Sequence, residues 1–138
     1  MRTILLIEDS ADYRENIEMM LADEDYNVIS VACPHDAFSY LASDQIDAII
    51  CDLHLPFILN EKIAHYPYSI EVGIQTINEL RTILPQTPII GISASMESDL
   101  PRIGEEKNFV PLLNKPFSRS TLLNAITRAE INTNNAEQ

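Results

Sequence analysis

The sequence predicts an α/β protein in which a parallel sheet of five strands has helices on both faces. Five short apolar runs recur along the chain, and they are continuous rather than alternating, as expected for strands buried on both faces. The segments between the runs have helical spacing, and a regular alternation of strand and helix is typical of a parallel sheet. The strands are predicted at residues 4–7, 28–32, 48–51, 89–92 and 109–113.

Each segment between these runs has a stripe of apolar residues at helical spacing. The third stripe is the longest and ends at Pro85, and Ser118 is placed to cap the last helix. The segment 98–107 is a weaker helix, because it has Pro101 near its start and Gly104 inside. The remaining stripes contain Tyr13, Ile17, Met20 and Leu21; Ala37, Phe38 and Leu41; Ile70, Ile74, Ile77, Leu80 and Leu84; and Leu122, Ile126 and Ala129.

The length and composition indicate a single globular domain that does not bind nucleic acid. The 138 residues are the size of one domain, and 46% of them are hydrophobic, which is enough to build a core. We expect this domain to span residues 1–130 and the polar segment 131–138 to be a frayed tail. The formal charge of −12 argues against binding nucleic acid through its phosphates, which needs clustered Lys and Arg.

The apolar runs are too short for a signal peptide or a membrane span, so we expect a soluble, cytoplasmic protein without a membrane partner. The two cysteines, Cys33 and Cys51, fit buried reduced thiols better than a disulfide framework. No cluster of His and Cys in the sequence supports a zinc site.

Acidic residues stand at the ends of two predicted strands. Glu8 and Asp9 follow the first strand, and Asp52 ends the third. Ligands of an open parallel sheet bind at the carboxyl ends of the strands where the strand order reverses, so these acids converge if their strands flank that point. Crowded carboxylates repel one another. A hard cation such as Mg²⁺, which takes oxygen ligands, removes that repulsion.

The same edge of the sheet offers groups suited to phosphoryl chemistry. The Asp52 carboxylate can attack phosphorus and form an aspartyl phosphate. Lys115, after the fifth run, can neutralise charge on the phosphoryl group, and Ser93, at the end of the fourth, can offer its hydroxyl to a phosphoryl oxygen. These residues occur in order, each at a strand end, and that combination is far more specific than any one of them.

With these motifs the sequence resembles the receiver domain of response regulators, the domain that accepts a phosphoryl group in two-component signalling. The resemblance extends from Arg2 to about Ala129. It implies a doubly wound, flavodoxin-like fold with strand order 2-1-3-4-5. The matching motifs are Glu8-Asp9, Asp52-Leu53-His54-Leu55-Pro56, Gly73, Ser93-Ala94 and Lys115-Pro116-Phe117.

The resemblance also implies roles for individual residues. Asp52 would be the phosphoacceptor, Ser93 the switch hydroxyl, and Lys115 the lysine that contacts the phosphoryl group. The bond between Lys115 and Pro116 would be cis, as it is in the family. The implied cofactor is Mg²⁺, and its ligands would be Glu8, Asp9, Asp52 and the backbone carbonyl of His54.

Two features depart from the family's pattern. Leu112 stands three residues before Lys115, where receivers usually have a Tyr or Phe whose ring turns inward on phosphorylation. The segment 57–69 is an insertion, and with Gly73 as the family's loop glycine it lengthens the loop by roughly a dozen residues. The insertion either packs on itself or binds or shields something beside the site. The side chain of His54 faces either the site or solvent.

The leading hypothesis is a stand-alone receiver that takes its phosphoryl group from a histidine kinase or a histidine phosphotransfer protein. It would signal through protein contacts or pass the phosphoryl group onward. By the resemblance, its output face is built from the last two helices and the fifth strand. Such a protein can lose its own phosphoryl group but is not an enzyme with a separate substrate.

Two other classes of protein stay open at this point. A receiver-like binding module that does not use phosphate would account for Leu112 and the insertion. A phosphatase with an aspartyl nucleophile would need a general acid two residues after Asp52, at the position of His54. Phosphorylation by a small phosphodonor in the presence of Mg²⁺ separates the first alternative from the leading hypothesis.

Overall fold

The computed structural model describes residues 2–41, 45–56, 70–103 and 109–136. Five strands and five helices alternate through this part of the chain, which confirms the α/β prediction. Their bounds are β1 (Arg2–Ile7), α1 (Ala11–Leu21), β2 (Tyr26–Val31), α2 (Pro34–Phe38), β3 (Ala48–Asp52), α3 (Ile70–Ile83), β4 (Ile89–Ser93), α4 (Met96–Ile103), β5 (Leu112–Asn114) and α5 (Arg119–Ala136).

The five strands form one parallel sheet in the order β2-β1-β3-β4-β5, as the resemblance implies. The chain leaves β1 toward one edge of the sheet and then returns across it to build the other half. The order of the strands therefore reverses between β1 and β3. Ile7 lies opposite Cys51 in this pair, so β1 and β3 end side by side at the reversal point, where ligands of such sheets bind.

Alternate residues of the central strands enter two different hydrophobic layers, because successive side chains of a strand point to opposite faces. Ile4 and Leu6 of β1 pack with α1 and α5. Leu5 and Ile7 pack with α2, α3 and α4. We call the first side of the sheet the α1/α5 face. Both layers consist mainly of buried aliphatic side chains, which fix the positions of the strand ends.

Several boundaries differ from those predicted. β5 begins at Leu112 rather than at residue 109, because Pro111 has no N–H group to donate to the ladder, although its carbonyl accepts from Gly91 N at 2.9 Å. α4 begins at Met96, two residues earlier than predicted, and its last predicted residues lie outside the described part of the chain. Ser118 caps α5 as predicted, accepting from the N–H of Thr121 at 3.2 Å.

The polar segment after residue 130 was expected to be frayed, but α5 continues to Ala136. Thr133 supports this extension by donating its hydroxyl to the carbonyl of Ala129 at 2.9 Å. A helix that has already formed lengthens at little cost, because each added residue gains one hydrogen bond.

The insertion at 57–69 lies outside the described residues. Cys33 and Cys51 are buried free thiols. None of the described helices has the length and apolar character needed to span a membrane.

Gly73 lies inside α3 rather than in the preceding loop, where the resemblance assigns it. A Cβ atom at this position would be 2.0 Å from the carbonyl oxygen of Leu53, so only glycine lets α3 pack this closely. Leu53 directly follows Asp52, and its N–H donates to the carbonyl of Ile92 at 2.9 Å. The contact with Gly73 thus helps to hold the backbone that leaves β3.

We expect Gly73→Ala to lower the free energy of unfolding by about 2–3 kcal/mol, because the new methyl group meets backbone atoms that cannot move independently. Gly91→Ala is the matched control. There an added Cβ would meet Leu112 Cδ2 at 2.6 Å, the end of a flexible side chain, so the loss should stay below about 1 kcal/mol. Urea unfolding of both variants measures the difference, and equal losses would contradict this account of Gly73.

Candidate functional site

The ends of β1 and β3 bring three carboxylates together. Glu8 directly follows β1, and Asp52 is the last residue of β3. One carboxylate oxygen from each of Glu8, Asp9 and Asp52 lies within 4.8 Å of the others. Glu8 and Asp52 are 1% and 4% exposed, while Asp9 is half-buried. Water therefore cannot screen the charges of the two buried acids as it screens those of surface acids.

Lys115 reaches this cluster from the end of β5. Its ammonium group donates to Glu8 Oε2 at 2.7 Å and to Asp52 Oδ2 at 3.2 Å. Its backbone N–H donates to the carbonyl of Ser93 at 2.7 Å, which holds the residue against the end of β4. The peptide bond between Lys115 and Pro116 is cis, as the resemblance implies. One cation thus bridges two buried acids that come from different strands.

Burial and the charges of neighbouring groups shift the pKa values of these side chains. Burial, together with the charge of Asp52, raises the pKa of Glu8 to about 7, although Lys115 opposes the shift. Burial also raises the pKa of Asp52, against the opposing effects of Lys115 and of the His54 N–H. Burial alone would lower the pKa of Lys115, but its hydrogen bond to Glu8 and the charges of both acids raise it overall.

The loop after β1 is held in shape by hydrogen bonds from α1. Ser10 caps the helix by accepting from the N–H of Tyr13 at 3.2 Å, and its own N–H donates to Glu8 Oε1 at 3.2 Å. The guanidinium group of Arg14 donates to the backbone carbonyls of Glu8 at 2.7 Å and Asp9 at 3.1 Å. Arg14 could not be singled out from the sequence, because an arginine in a helix gives no local sign of the carbonyls that it contacts.

The other predicted site residues lie on β4 and β5 or two residues after the end of β3. The backbone N–H of His54 donates to Asp52 Oδ1 at 3.2 Å. Ser93 is fully buried at the end of β4, and its hydroxyl oxygen accepts from the N–H of Ser95 at 2.9 Å. Leu112 is half-buried in β5 and packs toward Gly91 on the face opposite α1 and α5.

Tyr13 also belongs to this cluster, although the sequence pattern predicts it only as part of the apolar stripe of the first helix. Its ring lies under the Lys115 ammonium group, with Nζ 4.3 Å from the ring centroid. The ring also meets Phe117 edge to face, with centroids 6.0 Å apart at 74°. The available signal was its position in the first turn of a helix that directly follows two acids, which is too weak to distinguish a site residue from a core residue.

The donor set of the cluster fits a magnesium ion. Three ionised carboxylates and one ammonium group leave a net charge of −2, which a divalent cation would balance. The ligand atoms are oxygens, which Mg²⁺ prefers, and a few carboxylates are the usual protein contribution to its shell. Glu8, Asp9 and Asp52 are the residues that would hold the ion.

A comparison with protein families identifies the chain as a response regulator receiver domain. The family model matches residues 4–127, and the chain belongs to this family of two-component signalling domains. Among curated proteins, it is 28% identical over 124 residues to the cell cycle transcriptional regulator CtrA of Caulobacter vibrioides and 23% identical over 123 residues to a response regulator receiver protein of Anaeromyxobacter. These matches cover 87% and 89% of this chain, and the chain spans 46% of the length of each relative.

Solved structures show the same fold. The receiver domain of a sensor histidine kinase from Pseudomonas aeruginosa, described with a magnesium ion in its active-site cleft, superposes with a TM-score of 0.75 at 26% identity. That match covers 94% of this chain and 97% of the other. The chemotaxis protein CheY4 of Vibrio cholerae superposes with a TM-score of 0.74 at 23% identity, covering 94% and 98%.

We expect the contribution of Glu8 to the free energy of unfolding of the metal-free protein to fall as the pH rises from about 4.5 to about 7. In this window the folded protein keeps a proton on Glu8 that the unfolded chain has released, so raising the pH favours unfolding. Glu8→Gln removes this titration. The free energy of unfolding of the wild type minus that of the variant should therefore fall with pH, as measured by urea unfolding in EDTA across the window.

Glu15→Gln is the control for this experiment, because Glu15 is an exposed acid on α1. Its difference from the wild type reports the effect of removing one exposed carboxylate outside the cluster. If the Glu8→Gln difference followed pH in the same way as that of Glu15→Gln, the proposed cost of ionising Glu8 in the folded protein would be wrong.

Proposed function

We propose that this receiver domain is a phosphorylation-dependent signalling switch. Asp52 accepts the phosphoryl group from a histidine kinase or a histidine phosphotransfer protein in a Mg²⁺-dependent reaction. The observation that supports this most directly is the bridge from Lys115 to Glu8 and Asp52, beside the third carboxylate of Asp9. This bridge supports the proposal because a carboxylate that can act as a nucleophile, a cation and oxygens able to bind a metal ion lie next to one another.

Asp52 has the surroundings that a carboxylate nucleophile needs. An attacking oxygen must be ionised, and burial works against ionisation, as its raised pKa shows. Lys115 and the N–H of His54 stabilise the charged form through hydrogen bonds to Oδ2 and Oδ1. In the transfer, a bond forms between a carboxylate oxygen and phosphorus while the bond from phosphorus to the donor imidazole nitrogen breaks, and that nitrogen takes up a proton.

The other residues neutralise and orient the phosphoryl group. Lys115 already lies against Asp52, so its ammonium group can move a short distance to a phosphoryl oxygen. Ser93 ends the neighbouring strand, and its hydroxyl would donate to a second oxygen. When bound by Glu8, Asp9, Asp52 and the carbonyl of His54, Mg²⁺ would supply the positive charge that offsets the charge developing on the transferred group.

Because Leu112 has no aromatic ring to rotate, phosphorylation must be communicated to the output surface by a different structural change. The side chain of Leu112 packs toward Gly91, and it has no phenolic oxygen to expose or bury. We infer that phosphorylation is reported by movement of the backbone that follows β4, where the N–H of Ser95 now donates to the Ser93 hydroxyl. The output face would be formed by α4, β5 and α5 and would bind another protein.

Incubation with Mg²⁺ and acetyl phosphate should add one phosphoryl group to the wild-type protein, detected by mass spectrometry of the intact chain. Asp52→Asn should take up none, because an amide oxygen is a poor nucleophile toward phosphorus. EDTA should prevent the modification of the wild type. Asp36→Asn, which alters an exposed acid on α2, should be phosphorylated like the wild type.

The outcomes distinguish the hypotheses. A wild-type protein that stays unmodified under these conditions would favour the receiver-like binding module. Modification that persists in Asp52→Asn would place the phosphoryl group on another residue and refute the assignment of Asp52.

A further inference from the structure

We propose that Tyr13 is a positioning residue for Lys115. The face of its ring holds the ammonium group over the site while Glu8 and Asp52 are occupied by other partners. This inference rests on the proposed function, because it assigns Tyr13 a part in the transfer to Asp52.

The contact has the geometry of a strong cation–π pair. Nζ of Lys115 lies over the ring at 4.3 Å from its centroid, well inside the range of about 6 Å over which such pairs attract. The Lys115 side chain is only 13% exposed, so water competes weakly for the cation. The attraction is greatest when the cation is desolvated in this way.

The ring is fixed from two sides. The backbone N–H of Tyr13 donates to the hydroxyl oxygen of Ser10 at 3.2 Å, so the residue is held in the first turn of α1. The edge of the ring packs against Phe117, two residues after Lys115, in the hydrophobic layer of the α1/α5 face. The chain on both sides of the lysine side chain is thus held by rigid elements, and the ring has little freedom to leave the ammonium group.

Lys115 benefits from a partner other than a carboxylate, because Glu8 and Asp52 would also be needed by the metal ion and the phosphoryl group. At rest, Lys115 pairs with Glu8 and Asp52. The same carboxylates would also bind a divalent cation, and Asp52 would bond to phosphorus, so both ion pairs weaken as the reaction proceeds. A ring face neither binds Mg²⁺ nor takes up a proton, and it therefore keeps its hold on the lysine throughout.

The hydroxyl group of Tyr13 has no part in this role. Its oxygen is buried and makes no hydrogen bond within the described part of the chain. Burial raises the pKa of this hydroxyl, so it stays neutral. A buried hydroxyl without a partner destabilises a protein. Phenylalanine keeps the ring without the hydroxyl, so Tyr13→Phe separates the two contributions.

The test measures the rate of phosphorylation by acetyl phosphate at saturating donor and Mg²⁺. Tyr13→Leu should react about tenfold more slowly, which is the effect of losing a desolvated cation–π contact. Tyr13→Phe should stay within about twofold of the wild type, because the ring remains. Should Tyr13→Leu fail to fold, Tyr13→Met fills a similar volume without a ring and replaces it.

Tyr26→Leu is the matched control. Tyr26 makes the other cation–π pair among the described residues, with Arg2 at 4.9 Å, away from the acidic cluster. Its loss should leave the rate unchanged. The affinity for Mg²⁺, measured by calorimetry, should be the same in Tyr13→Leu and the wild type, because the ring does not touch the metal ligands. Equal losses of Mg²⁺ affinity and rate would show a collapsed site and overturn the proposal.

A second readout tests the contact without phosphorylation. A ring under the lysine shifts the NMR signals of the Lys115 ε-methylene hydrogens upfield, and this shift should disappear in Tyr13→Leu but not in Tyr13→Phe. A wild-type protein that accepts no phosphoryl group would refute the proposed function. The NMR shift would still show whether the Tyr13 ring contacts Lys115. A normal rate in Tyr13→Leu, or a slow rate in Tyr13→Phe, would refute the role of the ring.

Discussion

Two buried carboxylates that share one ammonium group impose the main constraint on this structure. Glu8 and Asp52 lie too close together and too deep for water to offset their charges, and Lys115 neutralises only part of them. Burial raises the pKa of both acids, and the charge of Asp52 further raises that of Glu8. Without a cation, a site of this kind is less stable than a hydrophobic one would be, and its three carboxylates are compatible with binding a divalent ion.

The fold keeps these charges together because the sheet is rigid around them. Residues of β1 and β3 alternate between two apolar layers, and the positions of Glu8 and Asp52 continue the series that faces α1 and α5. Lys115 has the same relation to β5, since Leu113 packs in that layer. Three strands thus direct charged groups toward the α1/α5 face at their shared edge, where Tyr13 of α1 contacts Lys115. Separating these charges would require breaking a packed core.

The boundaries that sequence patterns missed lie where the local signal is weak. An apolar run at 109–113 predicts a strand, but pairing requires N–H groups, and Pro111 removes one at the sheet's edge. The polar residues after Ala129 suggest a tail, although none of them is a strong helix breaker, and the backbone of α5 continues through them. In both places apolar content alone predicted the wrong extent, because hydrogen bonding decided it.

The sequence by itself determined the class of fold, and it identified the acids, the serine and the lysine at the strand ends. Continuous apolar runs and the residues that end them are local patterns, and parallel topology brings strand ends together. Only the tertiary structure decided that Tyr13 and Arg14 belong to the site and that Gly73 fits against Leu53. The contacts of Tyr13 with Lys115 and of Gly73 with Leu53 join segments far apart in the chain. Their existence depends on how closely helices approach the sheet, and no spacing along a sequence specifies that distance.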